Sequence, residues 1–164
     1  MIAAVDESNI FQAAMLHSIS WQDSHQSFCS PDFIKLHTPE HQQEYLKVKM
    51  NSGSKCYMLV EDEPIGIVSV TGSLIEDLYI LPQKQNKGYG TKLLQFAITK
   101  CMDTPTLWIL ENNVKAGRLY RRMGFKETGA RRPRSGACAE DLAVLRHRHV
   151  PADVFCGRNA CLYF

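Results

Sequence analysis

Asn113, Ala116 and Tyr120 fall at i, i+3 and i+7, so on a helix they line one side. A tyrosine titrates at about 10, which leaves it a proton at neutral pH to hand to a departing group. A second constellation, Gln85-Asn86-Lys87-Gly88-Tyr89-Gly90, follows the strand-like run Leu78-Tyr79-Ile80-Leu81, closed by Pro82, and opens a helical pattern near Gly88. Two glycines at the mouth of a helix let a bulky group approach the backbone closely. The unpaired amide hydrogens of the first turn point outward there, and the helix dipole adds positive potential. Together these features describe a phosphate seat beside a proton donor.

Both features need helix starts that lie side by side, and the flanking sequence supplies them. Lys55 to Val60 and Ile65 to Thr71 read as two strands of a hairpin around the turn Glu61-Asp62-Glu63-Pro64. Gly72-Ser73 turns the chain into a third strand, Leu74 to Leu81. Leu93, Leu94, Ala97, Ile98 and Cys101 return to helical spacing over Gly88 to Cys101, and Thr106 to Leu110 is another strand. That strand–helix–strand order demands a right-handed crossover and parallel neighbours. Asn112 or Asn113 caps a helix over Val114 to Met123, which Gly124 ends as a left-handed cap. Strands near Phe125 to Thr128 and Asp141 to Leu145 finish the sheet. Helices that follow adjacent parallel strands start at the carboxyl ends of those strands, where ligands bind in open α/β sheets.

Upstream, Met1 to Val5 reads as a short first strand. Ile10, Phe11, Ala14, Met15, Ser18 and Ile19 form a helical stripe over Ser8 to Trp21, with Ser8 as the cap. Ser30-Pro31-Asp32 starts a second helix, and Thr38-Pro39-Glu40 opens a third that runs to about Asn51.

The 164 residues fit one domain with a real core, and 45% hydrophobic with 22% charged residues is ordinary for a globular protein. A formal net charge of +2 does not imply a nucleic-acid partner, although arginines gather late, at Arg118, Arg121, Arg122, Arg131, Arg132, Arg134, Arg146 and Arg148. No secretory signal and no apolar run of about 20 residues is visible, so the expectation is a cytoplasmic protein without a membrane partner. There the six cysteines, Cys29, Cys56, Cys101, Cys138, Cys156 and Cys161, are expected to be reduced. The spacing of His147, His149, Cys156 and Cys161 fits no common zinc pattern, and no metal is expected.

Gln85-x-x-Gly88-x-Gly90 after a strand, then Asn113-x-x-Ala116-x-x-x-Tyr120 and Gly124-Phe125, resembles the GCN5-related N-acetyltransferases over roughly Lys55 to Thr128. His17-x-x-Ser20-Trp21 in the first helix is similar to many small bacterial members. The resemblance implies an α/β (α+β) fold: a mixed sheet of about six or seven strands, an N-terminal antiparallel hairpin, splayed parallel strands in the middle and about four to five helices. It divides the single domain 1–164 into acceptor-side helices (1–52), an acetyl-coenzyme A core (55–128) and C-terminal strands and tail (129–164).

Acetyl-coenzyme A is the implied cosubstrate, with the main chain of Gln85, Asn86, Lys87, Gly88, Tyr89, Gly90 and Thr91 on its pyrophosphate and Lys87 adding charge. Leu78, Tyr79 and Ile80 would carry the pantetheine arm, whose acetyl carbonyl would be oriented on the same strand; Asn113 would bond the arm and Ala116 would leave room for it. The implied reaction is direct attack of an amine on the thioester, with Tyr120 as general acid.

A primary amine with pKa near 10.4 must lose a proton before it attacks. Glu76 stands two residues before Leu78, hence on the same strand face, and is the first candidate base against a solvated strand carboxylate; Asp77, on the opposite face, is the second. Trp21, His25 and Phe28 are candidates for the acceptor side, with a packed aromatic as the competing reading of Trp21. The Gly129 to Glu140 segment reads either as an anion-attracting loop or as a plain charged one. The implied partner is a small-molecule or peptide amine, and the protein a monomer or homodimer. A coenzyme A-binding sensor without turnover is the competing class, and RNA binding lacks an interleaved aromatic surface motif.

Overall fold

The computed structural model describes residues 1–27, 29–110, 113–132 and 142–147. β-Branched and aromatic side chains recur from Lys55 to Ile80, where they pack better on a pleated surface than in a helix. The stretch folds as β2 (Lys55–Val60), β3 (Pro64–Thr71) and β4 (Leu74–Ile80), with β1 (Ile2–Ala4) antiparallel to β2 at the edge. β5 (Thr106–Leu110) runs parallel to β4, and β7 (Leu142–His147) enters antiparallel between β5 and β6 (Phe125–Arg132). The sheet order is β1-β2-β3-β4-β5-β7-β6. The expected hairpin, the parallel middle and the seven strands are all present, β6 being longer than the sequence suggested.

Each face of the sheet carries its own core. On one, Ile65, Val68, Val70 and Ile75 pack with Leu93, Leu94 and Ala97 of α4 (Tyr89–Lys100) and with Tyr120 of α5 (Val114–Arg122). On the other, Cys56, Met58 and Ile67 pack with Ala13, Ala14 and Leu16 of α1 (Ile10–His25) and Leu46 of α3 (Pro39–Asn51). The short α2 (Pro31–Lys35) leans on α1 through Trp21, Phe33 and Ile34. Ser30 and Thr38 cap α2 and α3 by accepting from Phe33 N at 3.3 Å and His41 N at 3.2 Å, each with proline in the first turn.

Expectations for α1 and for the cysteines change here. α1 starts at Ile10, not Ser8, because Asp6 takes the Ser8 backbone N–H and hydroxyl and leaves that serine outside the helix. The helix also runs a turn past Trp21, and only half of the expected stripe faces inward: Ile10, Ala14 and Ser18 are buried, but Phe11, Met15 and Ile19 are exposed, whereas His17 and Ser20 are buried. Cys29 is disulfide-bonded, against the expectation of six thiols, while Cys56 and Cys101 are free. Among the described residues no helix is long and apolar enough to cross a membrane.

Candidate functional site

β4 and β5 are parallel neighbours only at Leu74–Thr106 and Ile75–Leu107, and beyond Ile75 they diverge. Leu81 N donates to Ile65 O on the β3 side, so strand alternation turns the peptide groups of Leu78 and Ile80 toward the gap. Gln85 donates its side-chain amide to Ile80 O at 3.1 Å and so closes the carboxyl end of the strand. The gap widens into an open cleft of about 1940 Å³, larger than the ~300–1,000 Å³ typical for one small ligand and roomy enough for two.

At one end of the cleft stands the start of α4. Gly88 is left-handed (φ 85°) and no side chain caps the helix, so its first amides stay available to a ligand. Asn86 is also left-handed, at φ 62°. Gly90 serves packing instead, since a Cβ there would lie 3.3 Å from Leu119 Cδ2. Arg122 donates to Thr91 Oγ1 at 3.1 Å, which brings a guanidinium to the positive end of the α4 dipole. Lys115 and Arg118 line the same end. Two positive features set together favour an anion between them.

Asn113 caps α5, its side-chain oxygen accepting from Ala116 N at 3.1 Å. Tyr120, two turns in, lines the cleft at 7% exposure, and burial pushes its phenol up to about 12. It therefore holds its proton throughout the neutral range.

The other end of the cleft is built from α1, α3 and a bulge in β4. The register between β3 and β4 shifts between Ile67 and Ser69, and Asp77 takes a left-handed conformation (φ 51°). The extra residue breaks strand alternation. Glu76 and Asp77 both face α3, whereas Leu78 and Ile80 pack into the α4-side core and Tyr79 into the α1-side core. Glu76 is thus not on the face of Leu78, and Asp77 does not point away from Glu76, because the period of two fails at a bulge.

Asp77 is the hub of this end. Its carboxylate accepts from Lys49 Nζ at 2.5 Å, Ser69 Oγ at 2.6 Å and Tyr45 OH at 3.1 Å, and lies 3.5 Å from His17 Nε2. Burial pushes its pKa up, but Lys49 and His17 outweigh burial and hold the carboxyl well below the usual range. Lys49 shows the reverse balance: burial disfavours its charge, yet Asp77, Tyr45 and Glu76 raise its pKa and keep it an ammonium. Lys49 also reaches Glu76 Oε2 at 3.1 Å, which Thr71 Oγ1 approaches at 3.3 Å.

His17 places Nδ1 2.5 Å from Gln42 Oε1 and stacks on Tyr45. Burial pushes the Cys56 thiol up to about 12 and Cys101 up to about 11, so neither is a ready nucleophile.

The structure brings most of the expected residues to one cleft: Glu76, Leu78, Tyr79, Ile80, Gln85, Asn86, Gly88, Gly90, Thr91, Asn113, Ala116, Tyr120, Trp21 and His25. Lys87 is exposed outside the lining, and Tyr89 packs against the α4-side core. The Trp21 ring is stacked on His25 and His37, with centroids 3.9 and 3.4 Å away. Phe28, Asn112, Arg134, Arg148 and the tail from Pro151 lie outside the described residues, as do His149, Cys156 and Cys161. His147, the remaining member of that quartet, packs edge-on to Phe125.

Sequence reasoning missed the hub formed by Lys49, Tyr45, His17 and Ser69. Its one local signal is the i, i+4 spacing of Tyr45 and Lys49 on α3. Lys115, Arg118 and Arg122, at i, i+3 and i+7, were legible as a basic face of α5.

Residues 52–127 match the model of the acetyltransferase (GNAT) domain. The peptidyl-lysine N-acetyltransferase YjaB of Salmonella typhimurium is 36% identical over 69 residues, 42% of this chain and 47% of that protein. The chain spans about half the length of the curated relatives it matches. The solution structure of the apo form of YjaB from Escherichia coli superposes with a TM-score of 0.62 at 20% identity, covering 92% of this chain and 98% of that one. A PaiA N-acetyltransferase from Thermoplasma acidophilum, solved in complex with coenzyme A, has a TM-score of 0.64 at 15% identity, covering 90% and 98%.

Proposed function

We propose that the chain, whose residues 52–127 match the acetyltransferase (GNAT) domain model and whose fold is that of solved N-acetyltransferases, is a member of that family and transfers the acetyl group of acetyl-coenzyme A to a primary amine. One observation carries the reading. The uncapped start of α4, the Arg122 guanidinium beside it and the buried Tyr120 phenol converge on the seam between β4 and β5. These residues fit the cofactor: the seam offers strand peptide groups to an extended amide chain, and the α4 end offers donors and charge to a pyrophosphate. The PaiA protein, of like fold, is described with coenzyme A bound.

In this reading the amides from Gly88 to Thr91 and the Arg122 side chain hold the pyrophosphate. Leu78 and Ile80 pair with the pantetheine through their gap-facing peptide groups. Asn113 has its oxygen committed to the α5 cap, so its amide NH2 is the group that meets the pantetheine. Acetyl-coenzyme A supplies an activated thioester. Glu76 takes a proton from the incoming ammonium, the amine nitrogen attacks the carbonyl carbon, and the carbon–sulfur bond breaks. Tyr120 gives its hydroxyl proton to the departing sulfur. The second proton of the attacking nitrogen leaves to solvent as the amide forms, and solvent restores the phenol.

The acceptor is a peptide or small-molecule amine; the curated relatives are named for peptidyl-lysine. A second reading, a coenzyme A-binding module without turnover, draws on the Lys49 and Thr71 contacts that already occupy the Glu76 carboxylate.

Acetyl-coenzyme A is expected to raise the melting temperature, and no shift at saturating cofactor would remove both readings. Tyr120→Phe is expected to lower kcat by at least about a hundredfold while leaving cofactor affinity within about twofold. An unchanged kcat would take Tyr120 out of the acid role. Acetylated product is best followed by mass spectrometry, which identifies the acetylated amine directly.

A further inference from the structure

Glu76 and Asp77 meet the same cation. The Lys49 ammonium has three hydrogens and three acceptors for them: Asp77 Oδ2 at 2.5 Å, Glu76 Oε2 at 3.1 Å and the Tyr45 hydroxyl at 3.1 Å. An ammonium so placed cannot swing away from one acceptor without straining its bonds to the other two.

Holding α3 to the sheet does not require the bond to Glu76. Asp77 already accepts from Ser69, Tyr45 and Lys49, with His17 at 3.5 Å. On Glu76, Lys49 and the Thr71 hydroxyl end on the same oxygen, Oε2, at 3.1 and 3.3 Å. Ser54 Oγ lies 2.6 Å from Thr71 Oγ1, and a proton donated by Ser54 leaves the Thr71 proton for the carboxylate. Two bonds on one oxygen fix the plane of the group. A glutamate in a wide cleft otherwise samples several rotamers, whereas a proton acceptor must stand within hydrogen-bond reach of the proton it takes.

The bulge explains why two carboxylates share one cation. In a regular strand Asp77 would point to the face opposite Glu76. Its left-handed backbone, φ 51°, turns it onto the α3 face, where it seats Lys49 beside Glu76. A strained aspartate persists where its surroundings impose it, and such positions cluster at functional sites.

We propose that Lys49 is a positioning residue for the proton acceptor: seated on Asp77, it fixes the Glu76 carboxylate in the cleft, so that Glu76 acts and Asp77 anchors. This rests on the transferase reading and adds a residue to it. The proton inventory is unchanged: the incoming ammonium gives one proton to Glu76, and Lys49 keeps its own three. Among the described residues, the titratable and charged groups around the two carboxylates are Lys49 and Tyr45 from α3, His17 from α1 and Cys56 from β2. Lys49 brings a positive charge to Glu76, which favours the carboxylate form, while Asp77 opposes it.

The test follows kcat/KM against pH, with an Nα-blocked lysine peptide and n-butylamine as probe amines. The proteins are the wild type, Lys49→Met, Glu76→Gln and the double variant Lys49→Met/Glu76→Gln, each with its melting shift by acetyl-coenzyme A. Loss of a neighbouring cation makes a carboxylate easier to protonate. The acid limb of the Lys49→Met profile is therefore expected to move up by about one pH unit or more, with at least about a tenfold loss on that limb. In the Glu76→Gln background the same substitution is expected to change kcat/KM by less than about twofold, because nothing remains to be positioned. Lys49→Gln keeps a donor for Asp77 and loses the charge, so it reads the same limb should Lys49→Met fail to fold.

An acid limb that stays in place in the Lys49 variants overturns the proposal. So does an equal loss with and without Glu76→Gln, which would assign Lys49 to the fold alone, or a faster Lys49→Gln, which would make the ion pair a brake. These outcomes leave the transferase reading standing. A wild type that shows the melting shift but acetylates neither probe sinks that reading, and this inference with it.

Discussion

The two faces of the sheet follow opposite rules. Behind α4 the inward positions are apolar, with Leu93, Leu94 and Ala97 fully buried, and the ligand is offered main chain: helix amides, a left-handed glycine and a strand edge. Behind α1 and α3 the helices turn His17, Ser20, Gln42 and Tyr45 toward the cleft, while Phe11, Met15 and Ile19 stay 43–49% exposed. A site made of backbone leaves side chains free to build a normal core. A site made of side chains takes its positions out of the core, and the apolar residues of α1 are displaced to solvent.

The strongest way to break this contrast is at Asp77. Asp77→Asn leaves the Lys49 ammonium, 11% exposed, against a neutral amide, and is expected to cost about 3–5 kcal/mol of unfolding free energy in urea titrations. A loss below about 1 kcal/mol would show that the polar hub is not what fixes α3 to the sheet. The companion variant Asp77→Asn/Lys49→Met is expected to recover part of that loss, since no charge is then stranded.

The same group makes stability depend on pH. The Asp77 carboxyl is held below its unfolded value of about 3.9, so its contribution is fully present above that value. It is lost as pH falls through about 4 toward the folded value, and acid unfolding curves of the wild type and Asp77→Asn are expected to converge there. Curves that stay parallel would assign the stabilisation to other carboxylates.

On the opposite face, Gly88→Ala forces a Cβ into a φ of 85° and is expected to cost about 1–2 kcal/mol, with weaker acetyl-coenzyme A binding by calorimetry. Space is not the cause, because nothing lies within 4 Å of that Cβ. The smallest effect is expected at Met15→Lys, within about 0.5 kcal/mol, because that side chain already faces water. A large loss there would mean the exposed row of α1 is covered in solution.

What was legible in the sequence follows the same division. β2 through α5 were read to within a residue or two because period, turns and caps agree locally, as in Gly72 at φ 60° and Gly124 at φ 89°. The glycine-flanked start of α4 and the place of Tyr120 on α5 were legible because spacing along a helix sets them. The bulge at Asp77 was not, since nothing in Leu-Ile-Glu-Asp-Leu-Tyr-Ile announces an extra residue, and the partners that hold its carboxylate include Lys49 and His17, 28 and 60 positions away. The inward face of α1 was misread because hydrophobic periodicity assumes that a helix hides its apolar side. A helix that serves a polar cleft reverses that rule.

The divergence of β4 from β5 also sets a pattern in time. Tyr79 and Leu81 turn their amides into the ladder with β3, whereas Leu78 and Ile80 turn theirs toward an unzipped seam inside the sheet. Amide hydrogen exchange along this one strand is therefore expected to alternate, slow, fast, slow, residue by residue. A strand in the middle of a seven-stranded sheet would exchange like an edge, until an extended ligand lay down beside it and removed the alternation.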